Sequence, residues 1–353
     1  MVEKMAEKIQ TVLAGIKVPG TDFSVGDIST ISGDSVDLAA GYPIARCSDD
    51  IVTEVQKALK DNGIDIQVKV SASIPSVQPQ NSAQRVEGVK NIVAVASGKG
   101  GVGKSTTSVN LALALAYEGA RVGLLDADIY GPSLPQMLGL GSERPEVVGG
   151  NAIKPLMAHG IQVVSMGSLV TENTPMIWRG PMVSGALKQL LNQTLWDDVD
   201  YLIIDMPPGT GDIQLTLSQS VPVSSSVVVT TPQDIALLDA KKGIEMFRKV
   251  NIPVAGVVEN MSMHICSNCG HHEAIFGENG GEQLAREFGT QLLGQLPLQK
   301  TIREQVDSGC PPVASDPESE VSQAYRNIAA KIASDLWVRS TKSDGPEISF
   351  VDD

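Results

Sequence analysis

The stretch Gly98-Lys99-Gly100-Gly101-Val102-Gly103-Lys104-Ser105 constrains this chain more than any other. It meets the pattern Gly-x-x-x-x-Gly-Lys-Ser/Thr, and its context is the one the pattern requires. An apolar run, Ile92–Ala96, precedes it and a helix-forming run, Thr106–Tyr117, follows. Glycines let the backbone curl until several N–H groups face one centre, and the helix N-terminus adds a field that favours an anion. In that geometry Lys104 reaches the β and γ phosphates of a nucleotide, and the Ser105 hydroxyl ligates Mg²⁺. A merely tight glycine turn, or a dinucleotide-binding Gly-x-Gly-x-x-Gly, explains Lys104 and Ser105 less well.

The rest of the chain is organised to suit such a loop. From Val89 onward, short apolar runs recur between helical or loop segments: Ile92–Ala96, Val122–Leu125, Val163–Met166, Tyr201–Ile204, Val227–Val229 and Val254–Val258. Runs this apolar suit strands buried on both faces, so the expected fold is α/β, a parallel sheet with helices on both faces. A small α+β unit is expected before it, over residues 1–72. There Glu7–Gly15 reads as a helix, Ile28–Ala39 as two strands around Ser32-Gly33-Asp34, Asp49–Asn62 as a helix and Ile64–Val70 as a strand. Asp49 or Asp50 stands near the cap of that helix, and Gly63 at its end. Residues 73–88, rich in Ser, Pro, Gln and Asn, read as a linker, 89–340 as the nucleotide domain, and 341–353 as an acidic tail.

Composition excludes several functions. Net charge is −14, against the basic surface that a nucleic-acid-binding protein needs. No run approaches the ~20 apolar residues of a membrane span, and the first twenty residues lack a signal-peptide core. The four cysteines are too few for a disulfide scaffold, which fits a reducing compartment and a cytoplasmic protein.

A phosphate loop needs a metal carboxylate on a neighbouring strand. Tyr201-Leu202-Ile203-Ile204-Asp205 supplies one, with Asp205 holding Mg²⁺ through water and Pro207–Gly211 forming a loop near the γ-phosphate. Asp126 and Asp128 follow the run Val122–Leu125. Strand C-termini are where an open parallel sheet binds ligands, so both acids are candidates to face the phosphates, with a loop cap the alternative for Asp126.

Cys266-Ser267-Asn268-Cys269, followed by Gly270-His271-His272, places two thiolates where they can clasp one metal or one cluster. Three readings stay open on the residues alone. Zinc would use Cys266, Cys269 and His271 or His272, in tight spacing. A redox disulfide lacks the thioredoxin-like context. A 4Fe–4S cluster needs four thiolates, which a two-fold dimer would supply. Cys47 is either functional or a small buried residue, Cys310 is read as structural, and His159 and His264 as isolated.

With those residues in hand, the loop resembles the deviant Walker A of the MinD/Mrp/ParA class, whose signature lysine, here Lys99, crosses a dimer interface to the partner's nucleotide. The likeness runs from Ile92 to about Leu298 and includes LLDADIYGPS, IIDMPPGTGD and VVENMS. It implies that Asp128 orients the attacking water and that Asn260 reads the adenine. CSNCGHHEAIFGENGG and DIYGPSLPQMLG resemble the Mrp/ApbC family of iron–sulfur carrier ATPases in particular, and Trp178-Arg179-Gly180-Pro181 resembles a family segment near the dimer interface. Residues 1–72 resemble the small domain of cytosolic iron–sulfur assembly factors, although VPGTDFSVGDI stands where an acidic turn is common. The resemblance implies a homodimer that binds ATP and Mg²⁺, hydrolyses ATP slowly, bridges a 4Fe–4S cluster through Cys266 and Cys269, and exchanges it with cluster donors and apo-proteins. Neither nucleic acid nor membrane is an expected partner. The competing expectation is a MinD/ParA-like positioning ATPase with a structural zinc knuckle. An electron donor like the nitrogenase iron protein fits less well, because its cysteines stand far apart in sequence.

Overall fold

The computed structural model describes residues 2–343 except 19, 20, 22, 33, 34, 46, 82, 130, 170–179 and 267. The chain divides into two units, residues 1–78 with 333–353, and residues 79–332.

In the first unit, Val2–Ala14 and Ser48–Asp61 are helices beside a sheet of Ser29–Ser32, Ser35–Ala40 and Gln67–Ala72. The first two strands pair antiparallel and the last two parallel. Ile51, Val55 and Leu59 recur at helical spacing and are buried, which is why Ser48–Asp61 holds to the sheet. Cys47 occupies the cap position of that helix without a side-chain cap, and Asp49 and Asp50 fall in its first turn. There their charges favour the positive end of the helix. Gly33 and Asp34, the expected turn, lie outside the described residues, as do 344–353 of the tail and Trp178-Arg179.

One boundary differs from the sequence reading. The last helix, Glu320–Ser343, begins in the second unit, but from Ala333 its residues pack with the first rather than with the nucleotide domain. The reason is Trp337, whose ring lies 4.4 Å from Phe23 and 5.6 Å from Tyr42. A Cβ on Gly41 would stand 2.0 Å from Trp337 Cδ1, so only glycine admits the indole there.

The second unit is built on an eight-stranded sheet. Its order is Leu292–Gln295, Val254–Glu259, Ser225–Thr230, Val89–Ser97, Val199–Asp205, Val122–Asp126, Ile161–Ser165, Leu156–Ala158. All neighbours run parallel except the last pair, which His159 (φ 47°) and Gly160 (φ 82°) join as a two-residue hairpin turn. The six apolar runs read from the sequence are the six inner strands. Their burial is continuous, not alternating, because helices cover both faces. The edge strands Leu156–Ala158 and Leu292–Gln295 carry no such run. Among the described residues, no helix is long and apolar enough to cross a membrane.

Between Ala72 and Val89 the described residues form no helix or strand, yet the stretch is anchored. Val86 joins the core of the second unit, and the Asn81 amide donates to the carbonyls of Ser218 and Val221 at 3.2 and 2.7 Å.

Candidate nucleotide and thiol sites

The glycine loop leaves the central strand Val89–Ser97 and enters the helix Lys104–Tyr117. Gly103 caps that helix at φ 82° and no side chain caps it, so its first-turn N–H groups are left for an anion. Glycine at 103 is also a packing requirement, since a Cβ would lie 2.1 Å from Asn260 Nδ2. Gly98 is equally constrained: a Cβ there would meet the backbone of Asp239, on the helix Asp234–Lys249, at 2.3 Å. Gly100 and Gly101 meet no such neighbour.

Asp205 is the hub of the site. It ends the strand Val199–Asp205, whose register sets it between Val95 and Asp126 on the neighbouring strands. Fully buried, its Oδ2 accepts from Lys104 Nζ at 2.6 Å and Ser105 Oγ at 2.6 Å, and its Oδ1 accepts from Ser108 Oγ at 2.6 Å. A buried ammonium next to a buried carboxylate is tolerable only with this pairing. Ser108 was missed from sequence. Its signal was a hydroxyl four residues after Lys104 on the helix face that the strand covers. Ser105 Oγ and Asp205 Oδ2 are hard oxygen donors of the kind Mg²⁺ takes, and the two residues fit that ion.

Asp126, the other acid considered for the phosphates, is committed elsewhere. Its Oδ1 accepts the N–H of Asp128 at 3.1 Å, and its Oδ2 those of Ser133 and Leu134 at 3.0 and 3.2 Å and the Ser165 hydroxyl at 3.3 Å. It is the brace of the loop that carries Asp128 and leads to Ser133. Burial, and then the neighbouring Asp205, push its carboxyl up to about 7, against the downward pull of the N–H donors and Lys104. Asp128 itself is half-buried at the strand end. Lys99 directs its ammonium to Gln233 Oε1 at 3.4 Å, at the start of the helix Asp234–Lys249. Thr106 lies half-buried in the first turn of the loop's helix. The Asn260 amide donates to the carbonyl of Val102 at 2.9 Å, so the side chain expected to read a base rests on the phosphate loop itself.

Cys266 and Cys269 lie in a surface turn. His264–Ile265 pairs antiparallel with His272–Glu273, and the turn closes with Cys266 N–H donating to His271 O at 3.0 Å and Gly270 N–H donating to Cys266 O at 2.8 Å. Backbone N–H groups of Asn268 and Cys269 face the Cys266 sulfur and hold its thiol below the ordinary value, as a metal-binding thiolate requires. Cys266 is half-buried and Cys269 exposed. Among the described residues, no group of three or more His, Cys, Asp or Glu side chains is placed to hold a metal, so His271 and His272 do not complete a zinc site within one chain. Cys47 belongs to the first unit, at the cap of Ser48–Asp61, and neither it nor Cys310 forms a disulfide. His159 contacts the Gly309 carbonyl at 3.0 Å, next to Cys310, far in sequence from either site.

A glycine loop leaving the central strand of a parallel sheet, with its lysine and serine on the buried carboxylate of the next strand, defines a P-loop NTPase. Residues 88–333 match the ParA family described as the NUBPL iron-transfer P-loop NTPase, and the chain belongs to that family. It is similar to the iron-sulfur cluster carrier protein of Escherichia coli K12, 59% identical over 282 residues that cover 80% of this chain and 76% of that one. It is also similar to the mouse iron-sulfur cluster transfer protein NUBPL, 49% identical over 288 residues, 81% of this chain and 87% of that one. A solved nucleotide-binding protein from Archaeoglobus fulgidus, in complex with ADP, matches with a TM-score of 0.57 at 35% identity, covering 64% of this chain and 88% of that one.

Proposed function

We propose that this chain is an ATP-dependent iron–sulfur cluster carrier. Two copies hold one 4Fe–4S cluster through Cys266 and Cys269 of each, and pass it to apo-proteins after receiving it from a donor. The observation that carries the reading is the thiol turn. It offers two sulfurs, one of them tuned toward thiolate by backbone N–H groups, and no third ligand among the described residues of its own chain. A four-thiolate cluster is then completed by a second copy, because a two-fold axis repeats the same patch. The names of the relatives, a cluster carrier and a cluster transfer protein, support the same cargo.

In the nucleotide site, Lys104 neutralises the β and γ phosphates and the glycine loop's N–H groups cradle them. Ser105 would hold Mg²⁺ directly and Asp205 through water, the ion supplying charge neutralisation on the phosphates. Asp128, aimed by Asp126, orients the attacking water, and Lys99 reaches the partner's nucleotide. Hydrolysis is slow, and nucleotide acts as a switch on dimer geometry and thereby on cluster retention. A reducing compartment, the cytoplasm, suits this reading, because there the Cys266 and Cys269 thiols stay available for a metal cargo.

The test is anaerobic reconstitution with iron and sulfide, followed by assay of iron, sulfide and zinc per chain. Half a 4Fe–4S cluster per chain, absent from Cys266→Ala and Cys269→Ala, supports carrier and dimer together. Zinc with no iron uptake overturns the proposal and leaves a positioning ATPase with a metal knuckle.

A further inference from the structure

Two sites that must communicate in such a carrier are joined by a short run of chain held by several backbone hydrogen bonds. At one end is Asn260, the residue after the strand Val254–Glu259. Its N–H donates to Thr230 O at 2.8 Å, and its side-chain amide to Val102 O, in the middle of the phosphate loop, at 2.9 Å. At the other end, six residues on, is Cys266. Between them the chain runs along residues 296–298 as along a rail. Leu296 N–H donates to Glu259 O at 2.9 Å, and Ser262 N–H to Leu296 O at 3.0 Å. Leu298 N–H donates to Met263 O at 2.8 Å, and Ile265 N–H to Leu298 O at 3.4 Å. The Ser262 hydroxyl adds a further bond to Leu296 O at 3.1 Å.

The contact at the loop end is placed to respond to phosphate. Val102 C=O and Gly103 N–H belong to one planar trans peptide unit and point in opposite directions. When Gly103 N–H turns toward an anion, Val102 O must turn with it, and that oxygen is the one Asn260 holds. The approach is close enough that any side chain on Gly103 would meet Asn260 Nδ2. The residue that follows, Met261, sits at φ 55°, a left-handed conformation that an L residue adopts only under constraint from its surroundings. A small rotation there re-aims the run that ends at Cys266.

We propose that Asn260 is a positioning residue that couples the phosphate loop to the thiol turn, its amide following the Val102 carbonyl while the 260–266 run carries that position to Cys266. This rests on the carrier reading for its purpose, since it supplies the means by which nucleotide alters cluster retention. It does not rest on that reading for its test. Coupling of this kind is reciprocal, so ligation of the thiols changes nucleotide affinity by the same factor.

The experiment uses the full-length, cluster-free protein with saturating MgADP, saturation being fixed by a fluorescent nucleotide. Iodoacetamide alkylation of Cys266 and amide exchange of the 260–266 and 296–298 segments are followed by mass spectrometry. MgADP changes the Cys266 alkylation rate by about fivefold or more, at the lower end of measured couplings, and alters exchange along the rail. Leu298→Pro deletes the Leu298–Met263 bond away from the loop, and Asn260→Ala removes the contact with Val102. In both, loop amides still respond to nucleotide and the thiol turn does not. A wild-type turn indifferent to nucleotide while loop amides respond overturns the proposal, as does a turn response that survives in both variants. Should Leu298→Pro fail to fold, Asn260→Ala at saturating nucleotide decides alone. Iron and sulfide uptake is measured separately: a chain that takes up neither but shows the coupling refutes the carrier reading and leaves the coupling standing.

Discussion

The nucleotide site and the thiol turn are built on opposite principles. Asp205 has no exposed surface and both its oxygens are engaged, by Lys104, Ser105 and Ser108 of its own chain. The thiol turn stands at the surface, with Cys269 exposed and no third metal-binding side chain beside the pair among the described residues. A site that must hold a multiply charged ligand in fixed register is set into the rigid C-terminal ends of buried strands. The thiol pair lies on a two-strand hairpin at the surface, the kind of placement that the proposed exchange of cargo between molecules needs. The first is held together by contacts within one copy; the second, on the function proposed above, takes its remaining ligands from a second copy.

That contrast can be broken by experiment. The largest effect is expected at the turn: Cys266→Ala or Cys269→Ala abolishes iron and sulfide retention on reconstitution. Its unfolding free energy, measured in urea, stays within about 0.5 kcal/mol of wild type, as for other surface changes. A large loss of stability would mean the turn is structural. Lys104→Ala is the converse, lowering ATP hydrolysis by about 10²–10³-fold, the scale for removing one preorganised charge donor. Steady-state phosphate release would show it, and iron uptake by the same variant gauges how separable the two sites are.

Asp126 gives a pH signature confined to the nucleotide side. Its carboxyl is raised in the fold from 3.8 to about 7, so the folded state holds the proton over a range where the unfolded chain has lost it. The stability it contributes is therefore full below about pH 4 and is lost as pH rises toward 7. The difference in unfolding free energy between wild type and Asp126→Ala should shrink over that window, and a flat difference would show an ordinary carboxylate there. The smallest effect is expected at the opposite end of the strand, where Asp198 forms an exposed pair with Arg121. Asp198→Ala should change stability by less than ~1 kcal/mol and leave both sites untouched. A larger change in either would show that the lower end of the sheet governs the sites.

Much of this was legible in the chain itself, and for local reasons. A glycine loop between a buried strand and a helix, an acid at the end of an apolar run, and two cysteines with two residues between them are all patterns whose geometry is settled within a few residues. So are the six inner strands, because burial on both faces demands unbroken apolar runs. Edge strands escaped, since a three-residue strand with one covered face carries no such demand.

What only the tertiary structure decided are the meetings of residues far apart in sequence. Periodicity marks a buried face but not its partner. It could not say that Asp205 would lie between Val95 and Asp126, or that Asp126 would brace a loop rather than face a phosphate. Trp337 was an apolar position on an amphipathic helix until packing set it on Phe23, Tyr42 and the bare backbone of Gly41. Asn260 could be given a ligand by likeness, but its hold on Val102, across 158 positions of chain, exists only because the strand order brings two loops to one end of the sheet. Local chemistry is written in short-range pattern, whereas partnership depends on the long-range closure of the chain, which no window of sequence contains.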